Sequence, residues 1–139
     1  MSISKIYTAG LNNAGSYQVS GIPYAKGGMN ATATATAISV NFPYVTRWVT
    51  IVNNDTTNDL KVGFSSNGLA ASDYFTVPRA DTNGRQTSHL PRLELKLTEL
   101  YFTGSTNFDV VAGLTNLPTQ RVDNIGPVGS NWSGSVGVG

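Results

Sequence analysis

The side chains that could do acid–base or nucleophilic chemistry are few in this chain of 139 residues, and their spacing does not bring them together. His89 is the only histidine and lies in a polar segment between Pro78 and Pro91. A serine–histidine–acid arrangement would have to use it, and a loop histidine without a catalytic role is the simpler interpretation. Glu94 and Glu99 are an odd number of positions apart, which puts them on opposite faces of a continuous strand and excludes a glycosidase pair there. We therefore expect no catalytic centre.

The chain also has few residues of the types that hold a metal ion or a cofactor. The chain has no cysteine and one histidine, so thiolate zinc sites and sites built from several histidines are excluded. Oxygen ligands for a hard cation such as Ca²⁺ are present from Asn53 to Asp59 (NNDTTND), although an Asx-rich turn bonded to its own backbone is the better interpretation. No glycine-rich loop opens a helix in a way that would hold a phosphate. The sequence predicts neither a metal nor a cofactor.

The charge pattern argues against nucleic acid as the main partner. Nine basic and eight acidic residues give a net charge of +1, and they are scattered singly rather than in a basic stripe. Charged residues make up only 12% of the chain, with Thr, Ser, Asn and Gly in their place, which suits a surface covered by neighbours. No apolar run is long enough for a membrane span, and the first residues lack the apolar core of a signal peptide. We expect synthesis in a cytoplasm.

Residues 31–42 alternate between two faces, which predicts a strand rather than a helix because β-branched residues recur with period two. One face holds Thr32, Thr34, Thr36, Ile38, Val40 and Phe42. The first half of the segment contains only alanine and threonine, and this small, uncharged surface suits close packing against another subunit. Thr32, Thr34 and Thr36 therefore belong to a candidate interface.

Two further strands are predicted at 47–52 and 60–64, joined as a hairpin by the polar turn at 53–59. The first of them carries apolar side chains on both faces, so it should be covered on both sides. We expect the packed centre of this region to contain Trp48, Ile51, Leu60, Val62 and Phe64.

Later segments repeat the alternating pattern. Short strands are predicted at 74–77 and 100–103, and a last clear one from 108 to 112. Arg92 to Leu97 alternates strictly, with its leucines directed inward, so a strand is predicted there although Leu, Glu and Lys favour helix. With possible strands at 4–8 and 16–20, the total of seven or eight short strands, separated by turns about every ten residues, predicts an all-β antiparallel sandwich or barrel.

The expected organisation has three parts: an N-terminal arm or short strands at 1–30, a β-sandwich core at 31–113, and an extended Gly/Ser-rich tail at 114–139. Aromatic residues outside the core pattern are candidate anchors for a partner. Tyr24 and Tyr44 lie in turn-like segments, where plugging the end of the sandwich is equally compatible. Trp132 has no local core in the tail, so a partner groove is the better interpretation.

Four segments within residues 42–118 carry a resemblance to a known type of protein. They read FPYVTRWVTIVNNDTTNDLKVGFSSNG, YFTVPRA, PRLELKLTELYFTG and FDVVAGLTNLP. In pattern and order they resemble the small single-jelly-roll structural proteins encoded by large double-stranded DNA viruses. The resemblance implies a single jelly roll located in the virion as a penton-like vertex, minor capsid or decoration protein.

The partners implied by the resemblance are copies of the same chain and other capsid proteins. The alternative is a carbohydrate- or receptor-binding β-sandwich module on the virion, because jelly rolls also host lectin sites and loop aromatics can stack on a host glycan.

Overall fold

The computed structural model of the protein describes residues 22–32, 37–70, 72–81 and 91–119. Within these residues lie seven strands and one short helix. They are β1 (Ile22–Met29), β2 (Ile38–Asn41), β3 (Tyr44–Asn53), β4 (Leu60–Gly63), α1 (Ser66–Ala70), β5 (Tyr74–Val77), β6 (Glu99–Thr103) and β7 (Phe108–Pro118). Valine, threonine and isoleucine at alternating positions favour the longer strands, since branched side chains pack well on a pleated surface.

The strands form two antiparallel sheets, one of three strands in the order β1-β7-β3 and one of four in the order β2-β6-β4-β5. An isolated antiparallel bridge joins Leu93 to Val49 on the free side of β3. The pairs are nested along the chain: β4 with β5, β3 with Leu93, β2 with β6, and β1 with β7. A ribbon of nested antiparallel pairs rolled into two facing sheets is a jelly roll, which confirms the predicted fold.

The inner faces of the two sheets form one apolar core. Its buried members are Met29, Ala31, Val40, Phe42, Val49, Ile51, Leu60, Val62, Val77, Leu97, Leu100, Phe102, Phe108, Val110, Ala112 and Leu114. The rings of Phe102 and Phe108 pack with centroids 4.8 Å apart. Because these two residues come from different sheets, their contact ties the layers together, and each large side chain buried in this way contributes about 1.5–3 kcal/mol.

The predicted hairpin between the second and third strands is wrong. β3 belongs to the three-stranded sheet and β4 to the four-stranded sheet, so residues 54–59 cross from one layer to the other. A hairpin needs both strands in one ladder, and here the ladder partners of β4 are β5 and β6, with Val62 paired to Phe75 and to Phe102. The polar turn bonds instead to the loop between β6 and β7, as described below.

The predicted packed centre is partly confirmed. Ile51, Leu60 and Val62 are fully buried, and Phe64 is half-buried against the core. Trp48 lies elsewhere: β3 turns Val49 and Ile51 inward, so the indole points to the outer face of the sheet. It lies across Gly113, where an added Cβ would be only 2.3 Å from the indole nitrogen.

Residues 92–97 keep the predicted alternation but do not form a regular strand. Leu95 N–H donates back to the carbonyl of Leu93 at 3.0 Å, a three-residue turn that breaks the extended ladder. The Thr46 hydroxyl completes the pairing with β3, since it donates to the carbonyl of Leu95 at 2.7 Å and accepts from Leu97 N–H at 2.9 Å. The inward leucines are thus held to β3 by backbone bonds at Leu93 and Leu97 and by the Thr46 hydroxyl.

The sandwich extends beyond residues 31–113 at both ends. β1 pairs with β7 inside the chain, and β7 continues past Gly113 to Pro118 with Leu114 and Leu117 buried. Within the strand predicted at 31–42, residues 31 and 32 form a bend, and the described strand begins at Ile38. The predicted strands at 4–8 and 16–20 and the tail beyond residue 119 lie outside the described residues.

Candidate interaction surfaces

The two tyrosines predicted as partner anchors lie at the rim of the core. Tyr24, on β1, is half-buried, and its ring packs edge-on against Phe42 with centroids 5.1 Å apart. Tyr44, the first residue of β3, is half-buried against the same core. Both rings thus lie on strands rather than in turns, and each packs against the rim of the core. Thr32 is exposed in the bend that follows β1, and Asn30 Oδ1 accepts hydrogen bonds from both its N–H and its hydroxyl at 3.0 Å.

Of the remaining candidate residues, only the two glutamates lie in the described part of the chain, and they make separate contacts. Thr34, Thr36, Trp132 and His89 lie outside the described residues. Glu94 is exposed and pairs with Arg92, whereas Glu99 accepts a hydrogen bond from Tyr101 at 3.1 Å on the outer face of β6. In the part of the chain that the structure describes, no three His, Cys, Asp or Glu side chains form a group that could hold a metal ion.

A buried polar cluster closes one end of the sandwich, and Asp55 is its centre. One oxygen of this buried carboxylate accepts from the N–H and hydroxyl of Thr57, both at 2.8 Å, and from the N–H of Asn58 at 3.1 Å. The other accepts from the N–H and hydroxyl of Thr106, at 2.8 and 2.7 Å, and from the Asn58 amide at 3.0 Å. Both oxygens are saturated with donors, so the segment is the predicted Asx-rich turn.

The donors around Asp55 also determine its protonation. The Thr106 N–H, followed by the Asn58 amide and the Thr57 N–H, holds the pKa of this carboxyl far below its ordinary value, because each donor favours the charged form. The neighbouring Asn53 amide is fully buried and bonded at both ends, to the hydroxyl of Ser105 and to the carbonyls of Asn58 and Val77. The cluster therefore ties the crossover between β3 and β4 to the loop between β6 and β7 and to the end of β5, and it has a structural role.

An apolar outer face covers the three-stranded sheet. We give this name to Pro23, Ala25, Trp48, Thr50, Val52, Val111 and Gly113. Alternate residues on the same strands are buried inward, so these positions point outward, and the pairing aligns Ala25, Val111 and Thr50 in one row across the sheet. None of the seven carries a charge, but charged residues lie at the margins: Arg92 is 5.9 Å from the centre of the Trp48 ring, and Asp109 is the outward residue of β7 paired with Val52.

A polar outer face with two tyrosines covers the four-stranded sheet. This tyrosine face comprises Ser39, Asn41, Lys61, Tyr74, Thr76, Glu99, Tyr101 and Thr103. Lys61 Nζ lies 5.0 Å above the Tyr74 ring. Between the two tyrosines, Leu69 of α1 occupies the space above Gly63, where an added Cβ would be 3.2 Å from the leucine Cβ. Burial, together with the negative charge of Glu99, raises the pKa of Tyr101.

The sequence analysis did not assign the members of these two faces to any interface. They can be identified from the alternation of inward and outward side chains along each strand. In the segment YFTV, Tyr74 and Thr76 alternate with the inward Phe75 and Val77, and Tyr101 alternates in the same way with the core residues of β6. Tyr24, Tyr44 and Trp132 are predicted anchors because they lie outside the predicted strand pattern, whereas Tyr74 and Tyr101 follow that pattern.

Compared with protein families, with curated proteins and with solved structures, the chain shows no significant match.

In the described part of the chain, no helix has the length and apolar character needed to cross a membrane.

Proposed function

We propose that this protein is a structural protein of a viral capsid, as a penton-like vertex, minor capsid or decoration protein, and that it acts by self-assembly and by contact with other shell proteins. The proposal includes synthesis in the host cytoplasm, location in the virion and no catalytic role. It is supported by the jelly-roll pairing of the strands and by the resemblance of residues 42–118 to such proteins. The observation that carries it is the apolar outer face.

The composition of the apolar outer face is that of an interface core. Charged residues are depleted and tryptophan is enriched in the buried centres of protein interfaces, and this face combines Trp48 with valines, alanine and proline, with the charged residues Asp109 and Arg92 at its margins. Burying such a surface against another subunit gains roughly 25 cal/mol per Å² of apolar area. Val111 lies at the middle of the central strand β7 and is half-buried, so it is the best position for a disruptive substitution.

Charge insertion at two matched positions tests the proposal. Val111→Glu places a carboxylate on the apolar outer face, and Thr103→Glu places one at a half-buried outward position of the other sheet, beside Lys61. We expect wild-type and Thr103→Glu protein to self-assemble in electron micrographs and sedimentation, and Val111→Glu protein to stay folded, by circular dichroism, and to form nothing larger than a dimer. Wild-type protein that stays monomeric at high concentration and does not bind purified shell proteins would contradict the proposal.

A second candidate function is binding of a host glycan, and the tyrosine face favours it. Two half-buried aromatic rings lie on strands separated by β4, about 10 Å apart from the strand spacing, and they are surrounded by hydroxyl, amide, carboxylate and ammonium groups. Aromatic rings pack on the C–H faces of sugars while polar groups bond to their hydroxyls. A glycan array should then give hits that Tyr74→Ala abolishes, and an array without hits argues against this candidate.

A further inference from the structure

We propose that β2 is a self-pairing edge: two copies of the chain join their β2 strands antiparallel about a twofold axis near Val40, which extends two four-stranded sheets into one of eight strands. The inference rests on the proposed function, because it names a second copy of the chain as the partner in assembly. It uses the backbone of one strand and is independent of the apolar outer face.

The edges of the three-stranded sheet are blocked. On β1, Pro23 lacks an N–H, Lys26 adds a charge, and the register shifts between Lys26 and Met29. Gly28 in that shift has a positive φ of 64°, and its N–H donates to Asp109 at 2.8 Å. Prolines, lysines and bulges are the devices that keep an edge strand from pairing with another chain.

The other edge of that sheet, β3, is already covered by residues 93–97. Val49 N–H and carbonyl bond to Leu93 at 3.0 and 2.8 Å, and Thr46 N–H donates to the carbonyl of Leu97 at 3.0 Å. These bonds use outward groups of the first part of β3, up to Val49, so neither edge of the three-stranded sheet offers an uninterrupted ladder along its length.

The β5 edge of the four-stranded sheet is closed at both ends. Before it, Ser72 has a positive φ of 75° and Asp73 donates its N–H to the carbonyl of Gly68 at 2.7 Å, so the chain turns away into α1. After it, Pro78 has no N–H. An added strand would find a ladder interrupted on either side of four residues.

β2 has none of these devices within its span. Its residues are ISVN, without a charge, a proline or a register shift, and Pro43 follows shortly after its last residue. Phe42 N–H donates to the carbonyl of Thr98 at 2.9 Å, so the alternation of an antiparallel ladder directs the Val40 backbone groups toward β6. Ser39 and Asn41 therefore direct their N–H and carbonyl groups to the opposite side, where no described strand lies.

The pattern of β2 is self-complementary. When two copies run antiparallel about Val40, Ser39 of one lies opposite Asn41 of the other, and the two pairs make four N–H···O bonds. The exposed hydroxyl and amide side chains meet on the outer face, and buried Val40 meets its own copy on the inner face. No like charges face each other. Four bonds give a weak contact, which suits an assembly held by several contacts per copy.

Cysteine cross-linking tests the register, since the chain has no cysteine of its own. Opposed Cα atoms in a hydrogen-bonded pair are about 5.5 Å apart, within the range of a disulfide. A mixture of Ser39→Cys chains and Asn41→Cys chains should form a disulfide-linked heterodimer under mild oxidation. Its yield should clearly exceed the yield of dimers from Thr76→Cys chains, whose cysteine lies on the β5 edge. A mixture that cross-links no more than the Thr76→Cys control overturns the proposal.

A second measurement separates this inference from the proposed function. In the Val111→Glu background, the apolar outer face is disabled, so sedimentation should report the β2 contact alone as a dimer at high concentration. Ser39→Pro removes an outward N–H and should give a monomer, whereas Ala25→Pro removes the equivalent N–H from the guarded β1 edge and should leave the dimer intact. A dimer that survives Ser39→Pro, or a Val111→Glu protein that is monomeric at all concentrations, overturns β2 pairing without touching the proposed function.

Discussion

Substitution of Asp55 should destabilise the fold far more than substitution of the neighbouring Asp59. The Asp55 carboxylate accepts six hydrogen bonds from two loops and is 5% exposed, whereas the exposed Asp59 accepts one hydrogen bond, from Arg79 N–H at 2.9 Å. Both lie in the same crossover between β3 and β4, so Asp59→Asn is a matched control for Asp55→Asn.

The size of the destabilisation by Asp55→Asn depends on the hydrogen-bond donors that lose the charged carboxylate as their acceptor. A hydrogen bond to a charged group contributes about 1.5–3 kcal/mol, and water can reach some of these donors because the side chains of Thr57, Asn58 and Thr106 are exposed. We therefore expect Asp55→Asn to lower the free energy of unfolding by about 3 kcal/mol, a large part of the 5–15 kcal/mol of a typical domain. The loss for Asp59→Asn should be below about 1 kcal/mol.

The contribution of the Asp55 carboxylate to the free energy of unfolding should depend on pH. The folded-state pKa of Asp55 lies far below the unfolded value of about 3.9, so the carboxylate stabilises the fold fully above that value and progressively less as the pH falls below it. Urea unfolding of wild-type and Asp55→Asn protein should differ by a constant amount from about pH 5 to 8 and converge below about pH 4. Equal losses for Asp55→Asn and Asp59→Asn, or a difference that grows as the pH falls, would refute this role of the carboxylate.

Three further substitutions test separate parts of the structure. Gly113→Ala should push the Trp48 indole off the sheet, costing about 1–3 kcal/mol and shifting tryptophan fluorescence to the red in a background without the second tryptophan. Thr46→Val removes the hydroxyl that bridges β3 to the bend before β6, so it should cost about 1–3 kcal/mol and speed amide exchange in that bend. Glu99→Gln should lower the pKa of Tyr101, seen by ultraviolet titration of tyrosinate, while burial keeps it above the ordinary value.

The fold was predictable because its signal is local. Period-two alternation specifies which side chains of a strand share a face, and it correctly places Val40, Ile51 and Val62 in the core. What alternation cannot give is the sheet to which a strand belongs, since that depends on partners far away in the chain. The wrong hairpin at 53–59 is of this kind, because the same turn residues serve a crossover when Asp55 finds its donors at Thr106, 51 positions later.

The misplacement of Trp48 has a related cause. On β3 both sets of alternate positions are apolar, so the pattern allows either set to face inward. The inward set is decided by Gly113 on the neighbouring strand, which leaves room for an indole on the outer face. A glycine on one strand thus determines the direction of a tryptophan on another, and neither residue shows this in its own segment.

The two outer faces of the sandwich differ in chemistry although their strands follow the same alternation. Outward positions on β7 and β3 carry mainly valine, threonine and tryptophan, with Asp109 near the start of β7, whereas those on β6 and β4 carry tyrosine, threonine, glutamate and lysine. Stability does not demand this difference, because both inner faces bury the same kind of apolar residue. A largely uncharged face suits another protein subunit and a polar aromatic face suits solvent or a polar ligand, so in the proposed assembly we expect the first face to pack between subunits and the second to face outward.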